Sequence, residues 1–193
     1  MNTNERELAE LVCRLISELI LLQKKLHTSW RGDLERLGAV NFKSLRVYKV
    51  INDAGFFNII DAYRDKLHEP STYASVAFVK ASFSNLGKLD YRVKELDSYR
   101  DKLVRYTAGP EGGKIPVNKC LNDLAGFRIQ LPVDLPADEL MAFIIAWPFQ
   151  TAVRCVNSSK NGYYAIHVYL KDCNQMPMWE LQIWNHCDIK KVL

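Results

Sequence analysis

The stretch Asp123-Leu124-Ala125-Gly126-Phe127-Arg128-Ile129-Gln130-Leu131 decides the fold. Residues 124–131 read as a strand, a short apolar run bounded by turn residues. Upstream, residues 90–94 predict another strand, and Asp97 or Ser98 opens a helix running to about Tyr106. Between the two lies the loop 109–116, whose three Gly and two Pro mark turns and flexibility. Downstream, residues 136–145 predict a helix that ends before Trp147-Pro148. Residues 163–170 and 179–183 read as strands, joined as an antiparallel hairpin by the short loop 172–177. The order strand, helix, strand, helix, strand, strand predicts a mixed β-sheet flanked by helices, α/β or α+β in class.

The N-terminal third reads differently. Leu8, Leu11, Val12, Leu15, Ile16, Leu19 and Leu22 recur at helical spacing, so residues 4–27 predict an amphipathic helix. Asn4 followed by Glu7 is its start signal. Such a helix packs on its own domain or serves a dimer or partner. Residues 41–50 fit helix or strand equally. Residues 56–67 predict a helix stopped by Pro70, then a loop over 69–72, and residues 73–83 again fit either type. No repeat, low-complexity stretch or linker interrupts the chain. A single domain over 1–193 is expected, with a helical part over 1–70 and a chemical core over 86–186.

Composition sets limits on function. With 48% hydrophobic and 25% charged residues, a normal core is expected and disorder is not. The longest apolar run, residues 140–147, is far too short to span a membrane. Met1-Asn2-Thr3-Asn4 leads into charged Glu5-Arg6-Glu7, unlike a secretory leader. Five scattered cysteines without a C-x-x-C pair fit free thiols in a reduced, cytoplasmic setting and argue against zinc. The net charge of +4 suits a phosphate-binding cleft and is too mild for a broad nucleic-acid surface.

Alternation along the strands sorts the side chains that can do chemistry. Arg92 and Lys94 share a face, as do Tyr163 and His167, and Glu180 and Gln182; Leu181 and Ile183 point the other way. Half-buried antiparallel strands alternate like this with or without a site. Asp123 and Arg128 are five apart, which strict alternation puts on opposite faces. Either Asp123 precedes the strand or Gly126 marks an irregularity.

Taken in order, Arg92-x-Lys94, Ser98 with Lys102, Asp123-Leu-Ala-Gly-x-Arg128, Asn161-Gly162-Tyr163, His167 and Glu180-x-Gln182-Ile183 resemble the synthetase domain of the RelA/SpoT family. Each piece is short; the combination is what is specific. The resemblance implies a nucleotidyltransferase-like mixed sheet with flanking helices. It implies an ATP-dependent pyrophosphokinase that transfers the β,γ-pyrophosphate of ATP to the 3′-hydroxyl of GTP or GDP. By resemblance, Arg92 and Arg128 sandwich adenine, while Lys94, Ser98 and Lys102 face the phosphates. Asp123 and Glu180 bind Mg²⁺, and Glu180 also helps deprotonate the acceptor hydroxyl. Tyr163 stacks on the acceptor base, with Lys160, His167 and Gln182 completing its contacts. That inventory suits phosphoryl chemistry, which needs metal, cations and positioning more than a covalent nucleophile.

Two departures bear on the acceptor. The family usually carries Lys four residues before the stacking Tyr, where this chain has Ser159, and Arg after the Glu-x-Gln-Ile stretch, where it has Trp184. The alternatives are therefore a toxin that pyrophosphorylates the tRNA 3′ end, with an antitoxin protein as partner, or a nucleotide-binding module impaired in catalysis. A homo-oligomer is compatible with every reading.

Overall fold

The computed structural model describes residues 1–38, 40–159 and 164–185. Helix α1 (Thr3–Arg36) runs past the expected end at residue 27, because the apolar stripe continues through Trp30 and Leu34. Its capping box is Asn2 with Glu5, two residues earlier than the expected Asn4 signal: Asn2 Oδ1 accepts from the Glu5 N–H, and Glu5 Oε2 accepts from the Asn2 N–H. A short α2 (Val47–Val50) resolves the ambiguous segment as helix. Helix α3 (Ala54–Leu67) is capped by the Asp53 side chain, which accepts from the Phe56 N–H.

The loop expected over 69–72 is instead the start of α4 (Pro70–Ser82). Pro70 occupies the first helical turn, where its missing N–H has no intrahelical partner to lose. It ends one helix and begins the next. The β-branched content of 73–83, which fits a strand equally well, is overridden by this start and by packing against α1 and α3.

Five strands follow: β1 (Lys88–Val93), β2 (Ala125–Gln130), β3 (Val153–Asn157), β4 (Ala165–Leu170) and β5 (Trp179–Trp184). They form one sheet in the order β1-β2-β5-β4-β3, with β2 and β5 parallel and the other neighbours antiparallel. The mixed sheet and the β4–β5 pairing match the expectation. Strand β3 is an addition to it: Val153-Arg154-Cys155-Val156-Asn157 is a short edge strand with weak alternation. Helix α5 (Leu96–Ala108) follows β1, α6 (Val117–Cys120) precedes β2, and α7 (Ala137–Ala146) joins β2 to β3. The glycine-rich loop before α6 is anchored, with the Val47 and Tyr48 N–H groups donating to Ile115 O and Gly113 O.

One sheet face is apolar. Tyr91, Phe127, Leu181 and Val168 lie across it in register, with Leu89, Ile129, Ile183 and Ile166 as the next row. Helices α1, α3 and α4 cover that face. At their junction, the Trp179 indole N–H donates to Tyr63 Oη (2.7 Å), and Tyr63 Oη lies 2.8 Å from His27 Nε2. Indole only donates, so Tyr63 Oη accepts there; burial lowers the pKa of His27, and a neutral ring that donates from Nδ1 accepts the Tyr63 proton at Nε2. His27 Nδ1–H then donates to Asp172 Oδ2 at 3.1 Å. This chain of bonds fixes a neutral imidazole, buried among α1, α3 and β5. Among the described residues no helix is long and apolar enough to cross a membrane.

Candidate functional site

The opposite face carries the polar residues. Strand register puts Arg92, Gly126, Glu180, Tyr169 and Arg154 in one row across all five strands. The next row is Asp90, Arg128, Gln182, His167 and Val156. Side chains directly across neighbouring strands share a face, so Arg92, Arg128, His167, Glu180 and Gln182 all project from the side opposite the helical layer.

Asp123 precedes β2, which settles the parity question raised by its five-residue spacing from Arg128. It stands at the mouth of the sheet, where β1 runs into α5. The Lys94 N–H donates to Leu124 O, which holds the two segments together beyond the strands. Arg64 on α3 donates to the Lys94 carbonyl at 2.8 Å. Helix α5 is tied down in turn, because Tyr99 Oη and Arg100 Nη2 both bond Asp61.

This scaffold places two ammonium groups on one carboxylate. Lys94 Nζ lies 2.7 Å from Asp123 Oδ2, and Lys102 Nζ lies 3.1 Å from Asp123 Oδ1. Lys102 also donates to Asn122 Oδ1 at 3.0 Å. Asp123 is only 8% exposed. Burial alone pushes its carboxyl up, but Lys102 and Lys94 outweigh burial and hold it below the usual carboxylate value.

Glu180, 5% exposed, is the second buried acid. Its Oε1 lies 3.0 Å from His167 Nδ1, and its Oε2 accepts from Gln182 Nε2 at 2.9 Å. Burial raises its pKa, yet the His167 and Gln182 contacts bring the net value below normal; nearby Asp123 acts the other way. Gln182 Oε1 accepts from Arg128 Nε and Nη2, both at 3.3 Å. The guanidinium of Arg128 lies over the Trp184 ring, 4.4 Å from its centroid. Arg92 lies across Gly126: a Cβ at that glycine would sit 3.0 Å from Arg92 Nε. Both arginines are otherwise exposed.

Ser98 lines the same groove as Lys94, Asp101 and Arg105. Of the expected site residues, Arg92, Lys94, Ser98, Lys102, Asp123, Arg128, His167, Glu180 and Gln182 therefore gather around one face and its mouth. Lys160 and Tyr163 lie outside the described residues.

Three further residues join them without having been singled out from the sequence. Arg105 lines the groove with Lys94 and Ser98 and also a second one with Lys102, Tyr106 and Pro110. The signal was present, since Ser98, Lys102 and Arg105 follow the i, i+4, i+7 spacing of one helix face. Tyr169 falls two residues after His167 on the same face. Burial, followed by the charge of Glu180, pushes its phenol up to about 12. Arg154 stands 5.9 Å over the Tyr169 ring, on the strand that the sequence reading omitted.

The donor set suits a small hard cation. Mg²⁺ takes one or two protein carboxylates and fills its remaining positions with phosphate oxygens and water, and Asp123 and Glu180 supply two such groups. No larger cluster of His, Cys, Asp and Glu ligands occurs among the described residues.

No family model matches the chain, and no curated protein matches it. Among solved structures, it is similar to the small alarmone synthetase 1 from Bacillus subtilis, at 16% identity and TM-score 0.41, over 69% of this chain and 72% of that one. A GTP pyrophosphokinase family protein from Streptococcus pneumoniae is similar at 16% identity and TM-score 0.37, over 68% of each chain. The Bacillus subtilis synthetase bound to AMPCPP is similar at 14% identity and TM-score 0.33, over 67% of each chain. Likenesses this distant carry no argument about activity.

Proposed function

We propose that this protein is an ATP-dependent pyrophosphokinase of the RelA/SpoT type, which moves the β,γ-pyrophosphate of ATP to the 3′-hydroxyl of GDP or GTP and yields (p)ppGpp. The observation that supports this reading is the Lys94–Asp123–Lys102 cluster at the mouth of a sheet face that also carries Glu180 and two exposed arginines. Buried acids beside several cations are what a polyphosphate with its metal requires.

In this reading, Arg92 and Arg128 flank the adenine of ATP, and their planar guanidinium groups stack on its faces. Lys94, Ser98 and Lys102 contact the phosphates. Asp123 and Glu180 hold Mg²⁺, which supplies charge neutralisation on the phosphate oxygens when bound. The acceptor's 3′-oxygen attacks the β-phosphorus of ATP. The bond from that phosphorus to the α,β-bridging oxygen breaks, and AMP leaves. Glu180 takes the hydroxyl proton, and the hydrogen bonds from His167 and Gln182 keep its carboxylate ionised and aimed. Tyr163, Lys160, His167 and Gln182 are assigned to the acceptor.

A second reading keeps the donor and changes the acceptor to the 3′ end of tRNA. Trp184 favours it, because an indole paired with Arg128 stands where the family usually offers a cation to a guanosine nucleotide. A tRNA gains affinity from many backbone phosphates and depends less on that one charge. The leaving nucleotide tests the shared chemistry. Chromatography of ATP incubated with protein, Mg²⁺ and an acceptor is expected to show AMP; ADP as the product contradicts pyrophosphate transfer.

A further inference from the structure

Trp184 takes no step in the transfer proposed above, yet its ring lies against Arg128, which that reading assigns to the donor base. It is the last residue of β5 and by alternation shares the polar face with Gln182 and Glu180. Its backbone is pinned, because its carbonyl accepts from the Leu131 N–H at 2.9 Å. The next residue, Asn185, exchanges two side-chain bonds with the backbone of Leu135, at 2.9 and 3.3 Å. The backbone that carries the indole is therefore held at the C-terminal end of the central strand.

Arg128 uses that fixture. Directly across from it on β5 is Gln182, and the arginine leans one step along the sheet to reach the ring of Trp184. Two of its nitrogens donate to the single oxygen Gln182 Oε1, and Gln182 passes a bond on to Glu180. The guanidinium is thus held at one edge by Gln182 and underneath by Trp184, while Arg128 as a whole remains exposed. An unsupported arginine on an open surface samples many rotamers and loses that freedom when a ligand binds.

We propose that Trp184 is a positioning residue that holds the Arg128 guanidinium flat, so that its open face stacks on the purine base of ATP. The proposal rests on the reading that Arg92 and Arg128 flank the donor base. Its consequence is selective: the shelf helps ligands that carry a planar base and does nothing for a bare polyphosphate. It also explains how this chain uses an aromatic residue beside the acid and amide of β5, since both faces of a guanidinium accept planar partners.

The test is calorimetric titration of a non-hydrolysable ATP analogue and of inorganic tripolyphosphate. The proteins are the wild type, Trp184→Phe, Trp184→Leu, Arg128→Lys and the Trp184→Leu/Arg128→Lys double variant. Trp184→Leu is expected to weaken the analogue about five- to tenfold, the size of an exposed cation–π contact and its preorganisation, and to leave tripolyphosphate unchanged. Trp184→Phe restores most of the loss. The double variant loses no more than Arg128→Lys alone, because the two residues act as one unit. Equal analogue affinity in wild type and Trp184→Leu overturns the proposal, as does equal weakening of both ligands. Should Trp184→Leu not fold, Trp184→Met takes its place, and a loss of the same size with and without Arg128→Lys overturns the proposal. A wild-type protein that binds no analogue overturns the donor-site reading itself, whereas analogue binding indifferent to Trp184 overturns this inference alone.

Discussion

Lys94 Nζ stands 2.7 Å from Asp123 Oδ2 in a site where the acid is almost wholly buried. With Lys102 on the other oxygen, the carboxylate is neutralised twice over before any ligand arrives. Asp123→Asn therefore has two opposite effects. Transfer should fall on the order of 10³-fold, because a metal-binding charge near the reacting phosphates is lost. Metal-free binding of tripolyphosphate should hold or tighten, since two ammonium groups lose their internal partner. Steady-state turnover and calorimetry check the pair; weakened metal-free binding contradicts the assigned geometry.

Gly126 matters for the space it leaves. Its missing side chain lets Arg92 lie across the sheet, with Nε 3.0 Å from where a Cβ would be. Gly126→Ala should displace an exposed, flexible side chain at little cost in melting temperature. ATP should bind more weakly by about 0.5–1 kcal/mol, the loss of an exposed cation–π contact. Calorimetry beside thermal unfolding separates the two effects, and unchanged ATP affinity would remove Arg92 from the donor site.

Much of this arrangement is legible in the sequence, because alternation on strands is a strict rule. Glu180 and Gln182 share a face whatever surrounds them, and so do His167 and Tyr169. The mixed sheet follows from the order of the elements. Register across strands is a different matter: nothing local says that Gly126 lies between Arg92 and Glu180. Pro70 was misleading for a physical reason, since the same fixed φ that ends one helix suits the first turn of another. Strand β3 escaped notice because an edge strand with partly exposed residues on both faces has no strong period. Arg154 was lost with it.

The junction under the sheet gives a stability prediction. Tyr63 Oη serves the Trp179 N–H and His27 Nε2 together, fully buried. Tyr63→Phe leaves both partners unsatisfied at once. Each buried orphan costs about 1–3 kcal/mol, so a loss of at least ~2 kcal/mol is expected by denaturant titration. A smaller loss would mean that the bonds contribute little to the junction.

His27 makes the same junction acid-sensitive. Burial lowers its pKa, the hydrogen bond and charge of Asp172 work against that, and Arg31 adds to the lowering. The unfolded chain takes up the proton near the ordinary value of about 6.5, and the folded one only at lower pH. The histidine's contribution is therefore complete above ~6.5 and is lost as pH falls toward the depressed folded value. Asp123, Asp172 and Glu180 are also depressed, so their contributions fade at more acid pH, below the usual carboxylate range. Unfolding free energy measured from pH 7 to 5 should decline in the wild type and decline less in His27→Gln. Parallel curves would contradict a neutral, buried His27.

Transfer of label tests the account most directly. ATP labelled at the γ-phosphate is incubated with the protein and Mg²⁺, in separate reactions with GDP, GTP and bulk tRNA. The account predicts label on GDP or GTP, matched by AMP release and lost in Asp123→Asn and Glu180→Gln. Label confined to tRNA contradicts the guanosine-nucleotide acceptor, and label on none of the three contradicts pyrophosphate transfer.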